Sequence, residues 1–268
     1  MSSSDPSRTP DHDERAGWAT YVDTSYQPDP DRDSAYLVEM FFERLGSDLI
    51  NHGLDPDVSR DVIDRARQRQ RELNSTDSAD LPDAPARYNR RYTTAVLAAY
   101  QLLSAAGAST PGVPTGSALL TFLTRAFVEP CAEPVTAGTR AMLDAAADPF
   151  AAMVAVARTR ESEDFGAEFV FAHPTDDDDR FFADVHRCGY HEYFASQNAP
   201  QLTPVLCAFD TNWINAIDPQ RHGFIFTRTT TIGLGGRICP FHFQRTQAAE
   251  HHEHEGPEEL PPTDANVA

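Results

Sequence analysis

Through most of the first 160 residues apolar positions recur every three to four residues, and only afterwards do they alternate. The first spacing predicts helices and the second predicts strands. From Ser34, which can cap, Leu37, Phe41, Leu45 and Leu49 mark one face of a helix that Gly53 can end. Residues 57–73 carry a weaker stripe and predict a surface helix, followed by a polar, proline-punctuated loop over 74–86. RYTTAVLAAYQLLSAAGA is strongly amphipathic, with Val96, Ala99, Tyr100 and Leu103 on one face and Gly107 as its stop. Another helix opens at Pro114–Thr115 and is expected to close before Pro130, because proline lacks the N–H that a helix interior needs. Thr136–Ala147 and Pro149–Arg160 predict one broken helix or two short ones.

Alternation begins at EFVFAHP (168–174), a short strand with Phe169 and Phe171 on one side. An acidic turn at Asp176–Asp179 joins it to RFFADVHR (180–187), its antiparallel partner. Cys188–Ala195 starts a helix, and Pro204–Ala216 is another behind a proline entry. Phe224–Ile232 and Arg237–Gln244 then make a second hairpin around Gly233, Gly235 and Gly236, a turn expected to use positive φ. The expected fold class is α+β: an N-terminal helical layer packed on an antiparallel sheet of two hairpins, with helices between them. The expected organisation is a disordered acidic tail over 1–33, one α+β domain over 34–245, and a disordered acidic, histidine-bearing tail over 246–268.

Composition narrows the functional classes. The chain of 268 residues is 40% hydrophobic, so it can bury a real core. Its formal net charge is −19 and all 22 basic residues are arginine, so binding to a phosphate backbone is disfavoured. The opening MSSSDPSRTPDHDER has neither a basic n-region nor an apolar h-region, and no apolar run approaches the roughly 18 residues of a membrane helix. A cytoplasmic location is therefore expected, with a small molecule rather than nucleic acid or membrane as partner; oligomeric state is left open. Four cysteines, too few and too spread for a disulfide framework, are expected to be thiols, ligands or buried hydrophobes.

Three of them lie in the strand-bearing half, beside histidines and carboxylates. Cys188-x-x-His191 has the spacing of half a zinc site, and Cys207-x-x-Asp210 puts a thiol and a carboxylate on one helical face. A cysteine nucleophile needs a base within hydrogen-bond reach. Against this stands ordinary packing: free cysteine is among the most buried residue types. Arg228 on a strand can equally pair a carboxylate, and Asp210 can simply face solvent or cap. Gly235–Gly236 is not a phosphate loop, since the chain has no lysine to complete one. His251, His252 and His254 sit in a tail that cannot preorganise a metal site.

Three blocks in this half carry a resemblance. RTTTIGLGGRICPFHF is similar, through Arg228, Thr229, Thr231, Ile232, Gly235, Cys239, Phe241 and Phe243, to the ending of the L-2-amino-thiazoline-4-carboxylic acid hydrolase family. DVHRCGYHEYF resembles a second family segment through Asp184, Val185, Arg187, Cys188, Tyr190 and Glu192. APQLTPVLCAFD resembles a third through Pro200, Leu202, Leu206, Cys207 and Asp210. The resemblance covers about residues 88–245, and departs where the family's C-D-F-R reads Cys239-Pro240-Phe241-His242. It implies hydrolysis of a cyclic isothiourea carboxylate, opening a C–N/C–S ring. On that reading Arg228, with His191 nearby, binds substrate, and Asp210 or Glu192 is the base. Cys207 and Cys239 act as nucleophile or, with Cys188, as ligands of a divalent metal such as zinc; the choice stays open here. Two rival readings remain: a non-catalytic small-molecule module, since the G-x-x-x-C-x-F ending also resembles 4-vinyl-reductase domains, and a lapsed enzyme, motivated by Pro240 and His242.

Overall fold

The structure, a computed structural model, describes residues 30–77, 80–107 and 110–246. The expected tails lie outside the described residues except at their inner edges. Pro30–Asp33 form the first turn of a helix rather than tail, with Asp31 and Asp33 favourably placed at its positive end.

Five long helices come first: α1 (Pro30–Asn51), α2 (Pro56–Asp77), α3 (Ala84–Gly107), α4 (Gly116–Ala145) and α5 (Pro149–Arg160). A π-helical turn, Glu161–Phe165, and a 3-10 turn lead into β1 (Val170–Asp176) and β2 (Arg180–Arg187). Four short helices follow, α6 (Gly189–Ser196), α7 (Thr203–Cys207), α8 (Thr211–Ile214) and α9 (Pro219–His222), before β3 (Phe224–Thr227) and β4 (Cys239–Arg245). The fold class is α+β, with the helical layer preceding a four-stranded antiparallel sheet.

The sheet runs β1-β2-β4-β3, so the two hairpins join through β2 and β4. In that register Val185 faces Cys239, Ala183 faces Phe241 and Phe181 faces Phe243. Period-two alternation then puts Phe181, Val185, Phe224, Cys239 and Phe243 on the buried face and leaves His186, Thr227 and Gln244 exposed. One apolar cluster runs from Leu37 on α1 through Leu97, Leu103, Leu123 and Leu143 to Phe181, Phe224 and Phe243 on the sheet. The first two helices thus share a core with the strands.

Three local expectations are corrected. α4 does not stop before Pro130; it runs through Pro130 and Pro134 to Ala145. Phe127, Cys131 and Val135 are buried around the prolines. Asn212 in α8 donates to Val128 O at 3.1 Å, and Thr136 donates to Asn212 O at 2.6 Å. Packing on both sides of the prolines outweighs the bonds they remove. The helix expected over 204–216 is broken into α7, a 3-10 turn Ala208–Asp210, and α8. The strand expected to reach Ile232 ends at Thr227, and the rest forms a loop with a 3-10 turn at Ile232–Leu234.

Of the glycines expected to supply that turn, Gly235 has the positive φ, +88°. Gly233 is needed for a different reason: a Cβ there would sit 2.9 Å from the Thr203 side chain, so only glycine lets the loop lie against α7.

Leu45 on α1 is fully buried, so Leu45→Ala should cost about 2–5 kcal/mol in a denaturant titration. Because the core is shared, helical and aromatic signals should still unfold together; separate transitions would contradict the shared core. Val58→Ala, at an exposed site on α2, should change stability by less than about 0.5 kcal/mol.

Candidate active site

The register of the sheet assembles the site. Val185 pairs with Cys239, so the end of β2 lies beside the start of β4. Cys188, just past β2, and Cys239 then share one apolar cluster with Phe169 and Val185, against which Phe165, Phe171, Tyr190, Ile232 and Phe241 pack. The glycine loop brings Thr231 and Ile232 to this cluster: the Ile232 N–H donates to Cys239 Sγ at 3.0 Å. The Thr231 hydroxyl meets the Cys207 thiol at the end of α7 and also accepts from Leu234 N–H at 3.2 Å.

The 3-10 turn after α7 supplies the charged centre. Asp210 Oδ1 accepts from Trp213 Nε1 at 3.1 Å. Its Oδ2 pairs with Arg228 Nη1. Arg228 Nη2 donates to Cys207 O at 3.2 Å, and the guanidinium lies 5.2 Å over the Phe241 ring. The side chains of Asp210 and Arg228 keep only 23% and 14% of their exposure. Five of the sequence candidates, Cys188, Cys207, Cys239, Asp210 and Arg228, are therefore brought together.

The other two stand apart. His191 is half-buried, and its Nδ1 lies 3.2 Å from Thr203 Oγ1, so it touches the loop's support rather than the charged pair. Glu192 is exposed on α6 and its charge bears on Glu168.

The electrostatics set what these groups can do. Burial pushes the Cys188 thiol up to about 12. Burial, with the nearby Asp210 charge, pushes Cys207 up to about 11. Cys239 is also raised by burial, though the Ile232 N–H and Arg228 pull the other way. All three are neutral thiols near pH 7, whereas a nucleophile or metal ligand is a thiolate. Among the described residues no three His, Cys, Asp or Glu side chains are placed to share a metal ion, so the donor set does not fit zinc. Burial raises Asp210 against the pull of Arg228 and the Trp213 bond, which moves a carboxyl toward the range useful for proton transfer.

Pro240 and His242, which depart from the family ending, are not among the residues of the thiol cluster. His242 stacks at 4.0 Å on Phe182, its cross-strand partner, and its Nε2 lies 2.9 Å from Asp184 Oδ1. Pro240 is buried opposite Asp184 in the register. His242 thus meets Asp184 diagonally across the two strands, while Pro240 sits directly opposite it.

Sequence reasoning left out Thr231 as a thiol partner and Trp213 as a carboxylate donor. Neither spacing nor composition marks them, because their contacts arise from the broken helix and the loop.

A family model described as L-2-amino-thiazoline-4-carboxylic acid hydrolase matches residues 88–243, from α3 into β4. No curated protein and no solved structure matches the chain.

Thiol reactivity tests the electrostatics. At pH 8, alkylation by iodoacetamide should be about 100-fold slower for Cys207 and about 1,000-fold slower for Cys188 than for an unperturbed cysteine, because thiolate is the reacting form. Site-resolved mass spectrometry should show the rate still rising above pH 9. Fast alkylation that levels off below pH 8 would contradict the raised values.

Proposed function

The chain belongs to the L-2-amino-thiazoline-4-carboxylic acid hydrolase family, and we propose that it is a hydrolase that opens a small cyclic isothiourea carboxylate by adding water. The observation that carries this reading is the Asp210–Arg228 pair, largely withdrawn from water against Trp213 and the Phe241 ring, with Cys207 and Cys239 beside it.

Such a substrate carries two complementary charges. Its ring carbon lies between two nitrogens and a sulfur and is cationic when the ring nitrogen is protonated; its carboxylate is anionic. Arg228 can turn one or both nitrogens of its fork to the substrate carboxylate, which leaves Asp210 facing the ring cation. Asp210 then serves as the base that takes a proton from the attacking water. The oxygen bonds to the ring carbon. The C–S bond breaks, its electron pair stays on sulfur, sulfur takes up a proton, and the hydroxyl loses its proton as the C=O forms. The product is an N-carbamoyl cysteine. Cys207 and Cys239 are neutral in this scheme and line the site, so direct attack by water is favoured over a covalent thiol intermediate. Protonated thiols and a small-molecule ligand accord with a reducing cytoplasmic setting.

A binding module without chemistry is the second reading. What favours it is the neutrality of the three thiols, two of them packed among aromatic side chains.

The purified protein should open L-2-amino-thiazoline-4-carboxylate, scored by release of free thiol. Asp210→Asn should lower kcat by about 100-fold or more, the usual loss for a general base. Arg228→Lys should act chiefly on KM, since lysine cannot reproduce the two-pronged contact. Cys207→Ala should cost far less than Asp210→Asn. A wild-type protein that binds the thiazoline without opening it would favour the second reading, and no turnover would remove the specific activity without touching the fold.

A further inference from the structure

Asp210, the base of the proposed reaction, has two carboxylate oxygens, and what holds one decides which is left to take a proton. It stands directly before α8, where an aspartate commonly caps backbone N–H groups, yet its side chain makes no such bond. Both oxygens go to side chains instead. Oδ1 accepts from Trp213 Nε1 at 3.1 Å, and Oδ2 pairs with Arg228 Nη1.

The two holds differ in kind. An indole N–H donates and cannot accept, and packing fixes where this one points. Trp213 is buried. Its ring stands edge-on to Phe226 at 4.8 Å and lies stacked with Phe243 at 6.0 Å and Phe241 at 6.4 Å. The neighbouring Asn212 ties α8 to α4: its amide donates to Val128 O and its backbone carbonyl accepts from Thr136. Arg228 is seated otherwise. It follows β3, and its guanidinium keeps a separate bond to Cys207 O at 3.2 Å and a place 5.2 Å over the Phe241 ring. The guanidinium can therefore turn away from Oδ2 and keep its seat, whereas the indole is clamped on Oδ1.

We propose that Trp213 is the positioning residue of the site: by holding Oδ1 it makes Oδ2 the oxygen of Asp210 that takes the proton from water. The inference deepens the hydrolase reading and rests on it. When the substrate carboxylate draws Arg228 away, Oδ2 is bared while Oδ1 stays bound, so the carboxylate keeps its orientation. One O–H bond of the water breaks, its proton passes to Oδ2, and the oxygen's electron pair forms the bond to the ring carbon. The protonated carboxyl still accepts the indole bond through Oδ1, now its carbonyl oxygen, so the proton stays on Oδ2. It then passes to the departing sulfur, which keeps the C–S electron pair, and the hydroxyl proton leaves to solvent as the C=O forms.

The charged and titratable groups around Asp210 are Arg228 beyond β3, Cys207 on α7, Tyr190 on α6, Cys239 on β4 and Arg160 on α5. Burial raises the hold of Asp210 on a proton, and Arg228 and the Trp213 bond oppose it. With Arg228 engaged by substrate, the indole bond is the hydrogen bond that still favours the ionised form. Its loss should therefore show most clearly in the enzyme–substrate complex, which the pH dependence of kcat reports.

The test is kcat and KM for the thiazoline against pH in wild type and Trp213→Phe, which keeps an aromatic ring and deletes the N–H, with circular dichroism to verify folding. A base works only while ionised, so the rate falls on the acid side as Asp210 takes a proton. Without the indole bond the carboxyl keeps its proton to higher pH. Trp213→Phe should therefore move the acid limb of kcat toward higher pH and lower kcat about 10-fold, the lower end for a hydrogen bond to a charged group. KM should stay near the wild-type value. Leu45→Ala, which opens a cavity in the core at α1, should lower the melting temperature and leave the acid limb in place. The second readout needs no turnover. The chain has two tryptophans, and Trp18→Phe leaves Trp213 as the sole indole. Over the pH range in which the fold persists, its fluorescence should show a step with a midpoint above the ordinary aspartate value of about 3.9, and Asp210→Asn should abolish that step. An active wild type whose acid limb is unmoved by Trp213→Phe, or moved equally by Leu45→Ala, would overturn the proposal and leave the hydrolase reading standing. A fluorescence step that persists in Asp210→Asn would also overturn it. A wild type that opens no thiazoline ring would overturn the hydrolase reading and with it the catalytic role of Trp213.

Discussion

A carboxylate and a guanidinium taken out of water must find each other and satisfy what remains of their hydrogen-bonding capacity, or the fold is destabilised. The arrangement around Asp210 and Arg228 follows from this constraint. The 3-10 turn after α7 exists where Asp210 needs the Trp213 N–H, and a continuous helix would carry these residues differently. β3 stops one residue before Arg228, which frees that side chain to meet Asp210, the Cys207 carbonyl and the Phe241 face. Gly233 lets the following loop close on α7, and the loop in turn supplies the Ile232 N–H and Thr231 hydroxyl to two thiols. The same burial that makes the pair necessary raises the proton affinity of Asp210 and silences the cysteines. The proposed chemistry accordingly passes through the Asp210 carboxyl rather than sulfur.

The helices outside the family match take part in this indirectly. α1 and α2 pack on α3, and α1 also on α4. Asp48 on α1 is buried between Arg44, at 3.0 Å, and Arg125 of α4, at 2.9 Å, a link that holds the two helices in register. α3 is thereby loaded on one side by α1 and α2, while from its other end Asn89 reaches the π turn and Tyr190. In a chain with so large an excess of acid, these arginines share carboxylates: Asp48 takes both Arg44 and Arg125, and Arg44 also reaches Glu129. The counterion demand of the core and the site is met locally.

Much of the fold was legible because hydrophobic period is a direct record of burial. Leu37, Phe41, Leu45 and Leu49 predicted α1, and the alternation of RFFADVHR predicted β2 from end to end. What failed was local chemistry overruled by packing. Pro130 and Pro134 forbid a helix in isolation, but α4 is gripped on both sides of them. Thr229 to Ile232 have strong strand propensity, yet they form the loop because Gly233 and Gly235 allow a tighter path over the thiols. The convergence of Cys188, Cys207, Cys239, Asp210 and Arg228 came from three motif blocks, not from periodicity. The π turn and the Asn89 amide that holds its carbonyls left no trace in the sequence, since a π turn has no pattern of its own and ESEDFG reads as an ordinary polar break.

The central claim is that Asp210 and Arg228 act as one unit in both folding and function. A double-mutant cycle with Asp210→Asn, Arg228→Gln and the pair together measures it, on unfolding free energy and on kcat/KM for the thiazoline. A coupled pair predicts that the double variant loses much less than the sum of the single losses, with an interaction of about 1–3 kcal/mol on each scale. Single losses that simply add, within about 0.5 kcal/mol, would contradict the account.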